Sequence, residues 1–192
     1  MAQTEMQDAL NSYITDMLAL EEHIAKAVDA QLNDLRKDHP DFAQTLSKAS
    51  TTTAKHIGAL TALKTSRNMD ATSSVAEAVK RAGSVVAGLG AAAIDLVRSE
   101  SLSKNLRDDY TAYSLASIGY QMLLTSAVAM SDEEVSGHAR THFADYAQIV
   151  MDLSRAIPSA VIEDLKLQQL PVRGDAGELV AKEIKEIWEK LS

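Results

Sequence analysis

In the stretch ALEEHIAKAV, residues 19–28, two carboxylates and an imidazole stand side by side inside a long apolar stripe, and His56 and His142 fall on apolar stripes of their own. Side chains of these types either pass protons or hold a divalent cation through oxygen and nitrogen. The chain has no cysteine, which excludes disulfides, thiolate ligands and a Cys nucleophile together. Any metal must rest on carboxylate and imidazole. Of the three neighbours, Glu21 shares the face of Met17, Leu18, Ile24 and Val28, whereas Glu22 and His23 lie about 100° and 200° further round the helix. Glu21 is therefore the inward one, and His23 and Glu22 are expected to face solvent.

The elements that must position these groups are helices. Hydrophobic residues make up 46% of the 192 and aromatic residues only 4%, with 3 Pro and 8 Gly, a mix that favours helices packed through Ala, Leu, Ile, Val and Met over sheets. The length suits a single domain, residues 1–192, with a core large enough to need no staples. Ile14, Met17, Leu18, Ile24, Ala25, Val28, Leu32 and Leu35 mark one face of a first helix over 4–37, which His39-Pro40 stops. Leu46, Ala49, Thr53, His56, Leu60 and Leu63 mark a second helix ending near Arg67-Asn68. A tight turn makes the two antiparallel.

Residues 71–99 contain Gly83, Gly88, Gly90 and a run of alanines. Little side-chain volume there implies close backbone approach, and the segment reads as one helix, two, a crossover or a subunit interface. Leu106, Tyr110, Tyr113, Ser117, Tyr120, Leu124 and Ala127 define a helix over 102–130. Ser131-Asp-Glu-Glu134 offers a capping box, with Ser131 as the cap. The helix it opens carries Val135, His138, His142, Tyr146, Ile149, Leu153 and Ile157 on one face, and Pro158 kinks or restarts it. After a loop at Pro171 to Gly174 comes an amphipathic helix over about 175–191, with Trp188 as its expected anchor on the bundle.

Heights within such a bundle follow from the turns. A turn centred between residues 38 and 39 puts Glu21 level with His56, and one centred on Ser131 puts Tyr120 level with His142. If 71–99 carries the chain back along the bundle, all four share a layer, with Asp145 one turn from His142. Ferritin-like carboxylate bundles arrange inward Glu and His in this way around iron or manganese.

The stretches LNSYITDMLALEEHIAKAV, NLRDDYTAYSLASIGYQMLL and FADYAQIVMDLSRAIPSAVIEDL resemble the ferritin-like superfamily, and specifically bacterial stress-associated ferritin-like proteins distantly related to rubrerythrins. The resemblance implies an all-α fold: an antiparallel four-helix bundle with an additional crossover helix and a C-terminal docking helix. It also implies a metal site in which two helices each give a Glu and two give Glu-x-x-His. Glu21 fits the first slot; the second reads Thr53-x-x-His56; the third has only Asp108 and Asp109 near its start; the fourth reads His142-x-x-Asp145, reversed. Glu21, His56, His142 and Asp145 suit one iron, manganese or zinc ion and fit a two-metal centre poorly, since that needs four carboxylates.

Beside this stands the plainer reading, a Glu–His pair hydrogen-bonded within the core. His138 and His142, four apart, are a weaker metal pair, and Tyr110, Tyr113 and Tyr120 read as core. The expected function is accordingly a ferritin-like bundle with a degenerate di-metal site, acting without catalysis in stress or partner binding, as a homodimer or with a protein partner. The alternative is a one-ion metalloprotein with oxidase or peroxide-handling chemistry, and a cavity for an apolar ligand is a third. A formal charge of −8 opposes nucleic-acid binding. The run from Ala82 to Val97 is interrupted by Asp95 and falls about a helical turn short of a bilayer span. With neither that span nor a signal-like N-terminus, the expected location is the cytoplasm.

Overall fold

A computed structural model describes residues 2–69 and 101–191. Among the described residues it contains five helices and no strand. The crossover and the close-packed small-residue segment expected over 71–99 lie outside the described residues.

Helix α1 (Ala2–Asp38) buries Leu10, Ile14, Met17, Leu18, Glu21, Ile24, Val28, Leu32 and Leu35, the three-and-four spacing of one face. Helix α2 (Pro40–Ser66) starts after one residue, His39, whose amide still bonds the Leu35 carbonyl at 2.8 Å. Pro40 sits in the first turn of α2, where a missing amide hydrogen costs nothing. Leu46, Ala49, Thr53, His56, Leu60 and Leu63 are its buried face, as the pattern predicts, with Ala43 added at its start.

Helices α3 (Leu102–Ala129) and α4 (Glu133–Leu167) form the second hairpin. The expected capping box does not form, and the cap is displaced by one residue to Asp132. Ser131 adopts φ 57°, and the amides of Ser131 and Asp132 close α3 by bonding the carbonyls of Val128 and Ala127 at 3.1 and 2.9 Å. Asp132 is the cap of α4 and accepts from the Val135 amide at 3.0 Å. Its other oxygen receives Arg67 at 2.8 Å, which ties the end of α2 to this turn. Helix α4 runs on through Pro158 without restarting.

The buried stripe of α3 is Leu102, Leu106, Asp109, Tyr113, Ala116, Tyr120, Leu123 and Ala127. Asp109, Ala116 and Leu123 therefore take the places predicted for Tyr110, Ser117 and Leu124, a rotation of about one residue along those turns. At the start of α3, Asp164 of α4 accepts from the amides of Leu102 and Ser103, both at 2.9 Å, so one hairpin partner caps the other. Burial pushes this carboxyl up, but the Ser103 hydroxyl, the two amides and Ser101 together hold it below its usual value.

Helix α1 packs on α3 and α2 on α4, each pair antiparallel: Glu21 meets Tyr120 while Gln31 meets Asp109, and His56 meets Asp145 while Arg67 meets Asp132. Thus α2 leaves the bundle at one end and α3 enters at the other. Helix α5 (Ala176–Leu191) packs on α4. Gly177 makes the approach, since a Cβ there would lie 2.9 Å from the Ser159 Cα, too close for any side chain. Ala181 and Ile184, on the same face, are half-buried, while Trp188 stays 44% exposed. No described helix is long and apolar enough to cross a membrane.

Candidate metal centre

Four helices deliver polar groups to one level of the core. Glu21 is fully buried, and His56 and His142 nearly so. A ligand atom from each lies within 4.8 Å of the other two. Equal spacing from the hairpin turns explains why: every α-helix rises about 1.5 Å per residue, so residues equidistant from a tight turn end up side by side. Asp145 is different. Its side chain is 49% exposed and meets His56 Nε2 at 3.0 Å, on the far side of the ring from Glu21. The structure thus gathers Glu21, His56 and His142 and leaves Asp145 at the rim, holding the imidazole in place. His138 is half-buried, its ring edge-on to His142 at 6.0 Å; His23 is half-buried, not solvent-facing, and Glu22 is exposed.

Proton positions follow from the hydrogen bonds. Tyr120 donates its hydroxyl hydrogen to Glu21 Oε1. Burial first, and then the Glu21 charge, raise the phenol well above its ordinary value, so it remains a donor. His142 Nδ1, 2.8 Å from the same hydroxyl oxygen, must then be the donor in that contact, which leaves Nε2 with its lone pair. Burial, with repulsion from His56 and His138 behind it, pushes His142 down to about 3, so it is a neutral imidazole at neutral pH.

On His56, Nε2–H donated to Asp145 leaves a lone pair at Nδ1, which faces Glu21 Oε1 at 3.4 Å with no hydrogen-bond partner. Glu21 Oε2 is also buried and unpartnered. Two buried acceptors facing each other across 3.4 Å call for a group that both can accept from or bind: a proton, a cation or a bridging water. Two ligands about 2.0–2.1 Å from a common ion and 3.4 Å apart subtend about 110° at it, the tetrahedral angle. The residues present therefore fit an ion held by Glu21 and His56.

His142 does not join that pair as oriented. Its ring stacks on His56 with centroids 3.7 Å apart and planes 6° from parallel. Imidazole lone pairs lie in the ring plane, so an ion in the plane of one ring stands about 3.5 Å off the plane of the other. His142 becomes a ligand only if its ring turns and releases Tyr120.

Three tyrosines wall the layer. Tyr113 shares a 3.1 Å hydrogen bond with Thr53, and Tyr146 packs its ring on His56, Tyr113 and Tyr120 with centroids 4.8, 5.3 and 5.6 Å away. Tyr146 was legible only as one more residue of the His142 face, four positions on; its contact with His56 makes it part of the site. Burial, followed by Glu21, holds its phenol well above the usual value. A second polar pair is buried where the sequence pattern placed neither partner in the core. Asp109, 1% exposed, accepts from Gln31 Nε2 at 3.0 Å, about 16 Å along α3 from Tyr120. Comparison of the chain with family models, characterised proteins and solved structures returns no match.

Proposed function

We propose that the chain is a ferritin-like bundle whose two-metal layer is reduced to a site for one divalent transition ion, held by Glu21 and His56 with Asp145 orienting the imidazole. The observation that carries this reading is the pair of buried acceptors, His56 Nδ1 and Glu21 Oε2, that have no hydrogen-bond partner. A carboxylate behind a ligating histidine is the common arrangement in metal sites, because it fixes the tautomer and makes the ring nitrogen a better donor. Mixed nitrogen and oxygen ligands suit Zn²⁺, Fe²⁺ or Mn²⁺. Among the described residues Glu21 is the one carboxylate of the ligand cluster, too few to balance the charge of a metal pair. The ferritin-like relationship and the stress-associated role rest on the sequence resemblance.

A second reading is favoured by the stacked rings and the Tyr120 bridge: a self-satisfied polar layer in a non-catalytic bundle, with a proton between His56 and Glu21. Metal analysis of protein purified without a tag, followed by titration with Co²⁺, separates the two. The one-ion reading expects one equivalent per chain with tetrahedral visible bands, lost in Glu21→Gln and in His56→Phe and kept in His138→Gln. No bound ion in the wild type rejects it in favour of the second.

A further inference from the structure

Helix α5 carries more apolar surface than the bundle covers. Gly177 makes the contact with α4, and Ala181 and Ile184 on the same face are half-buried. About 50–60° round the helix from that line, Val180, Ile184 and Ile187 repeat at intervals of four and three, with Val180 43% and Ile187 55% exposed. Trp188, beside them, is 44% exposed. That interval is the seam of a two-helix coil, in which Ile184 takes position a and Val180 and Ile187 take position d.

The charges say which helix completes the seam. With Ile184 at a, both g positions flanking the exposed side are charged and of opposite sign, Glu183 and Lys190. The e positions are Ala181 and Trp188, turned toward α4. When two copies of a helix pair in parallel, g meets e of the other copy, and here that gives no ion pair. When they pair antiparallel, g meets g, so Glu183 of each copy meets Lys190 of the other, twice by symmetry. Ile184 then stacks on Ile187 in the adjoining layers. Lys185 and Glu189 lie on the far side, 3.6 Å from each other.

We infer that α5 is the contact between two copies of this chain, paired antiparallel about a two-fold axis between residues 185 and 186. The seam is short and the apolar area modest, so the association is concentration-dependent. The only tryptophan in the sequence sits at its edge and reports on it directly.

Sedimentation velocity on the full chain, from about 1 to about 500 µM, tests this, with tryptophan emission recorded on the same samples. The expected result is a monomer–dimer equilibrium with a blue shift as dimer forms. Ile187→Asp abolishes both while the helical circular dichroism is unchanged. Glu183→Lys weakens dimerisation at least several-fold, and adding Lys190→Glu in the same chain restores it, as only an antiparallel register predicts. A monomer at every concentration, its α5 face then belonging to another segment or another protein, overturns the inference. So does a dimer indifferent to Ile187→Asp, or a charge swap that fails to rescue.

Discussion

Replacing Asp109 by asparagine is expected to stabilise the protein above neutral pH and to leave it nearly unchanged in mild acid. Asp109 lies between α1 and α3, and burial drives its carboxyl up from 3.8 to about 7; the Gln31 bond pulls it down and the neighbouring Asp108 pushes it up again. Between those two values the folded chain keeps a proton that the unfolded chain has released. Stability therefore falls as pH rises from about 4 to about 7 and is level above that. The shift of about three pKa units corresponds to a ceiling of about 4 kcal/mol. Asparagine has the same shape and no charge. Its oxygen accepts from Gln31 Nε2, and its amide nitrogen can donate to Gln31 Oε1, which has no partner opposite the carboxylate.

Urea unfolding followed by circular dichroism at about pH 4, 6 and 8.5 measures the difference. His142, held neutral in the folded chain down to about 3, contributes the opposite slope between 3 and 6.5, because there the unfolded chain binds the extra proton. The wild-type profile alone therefore mixes two opposing trends, and the variant-minus-wild-type difference isolates Asp109. A gap of a few kcal/mol that opens across the window supports the reasoning. Parallel profiles at all three pH values would refute it, since a carboxyl that titrates normally is not paying for its burial.

Tyr120→Phe leaves Glu21 Oε1 and His142 Nδ1 without the hydroxyl that joins them and is expected to destabilise the fold by about 2–4 kcal/mol, read from the urea midpoint. Asp164→Ala strips two amides at the start of α3 of their acceptor, at a cost of about 1–2 kcal/mol. Because this carboxyl is held below its usual 3.8, its contribution is present above that value and is lost as pH falls through the lower folded value, so the variant lacks that part of the acid slope. Gly177→Ala forces a Cβ onto the Ser159 backbone. Limited proteolysis should then cut the 168–175 connection several-fold faster, with little change in the unfolding of the four main helices.

The helices and the placement of the site residues were readable for different reasons. Apolar spacing identifies the helices and their inward faces, and a tight turn sets the heights of residues on either side of it, so Glu21, His56, Tyr120 and His142 could be stacked without coordinates. The face of α3 was less legible. Pattern reading ranks Tyr110 above Asp109 because aspartate is charged, and only a partner from α1, Gln31, makes its burial tolerable. Ser131 lost the cap to Asp132 because closing α3 requires a left-handed residue there, a demand that arises from the preceding helix.

Residue order alone identified the helices and, within each hairpin, the residues at equal height, because both follow from the fixed geometry of the α-helix. Tertiary packing decided the rest: that Asp145 reaches only the rim, that the two imidazoles stack face to face, and that Trp188 stays partly in solvent. Those outcomes depend on side-chain torsions and on the distance between helix axes. Both are set by the volumes that meet in the core, which are contributed by parts of the chain far apart in sequence.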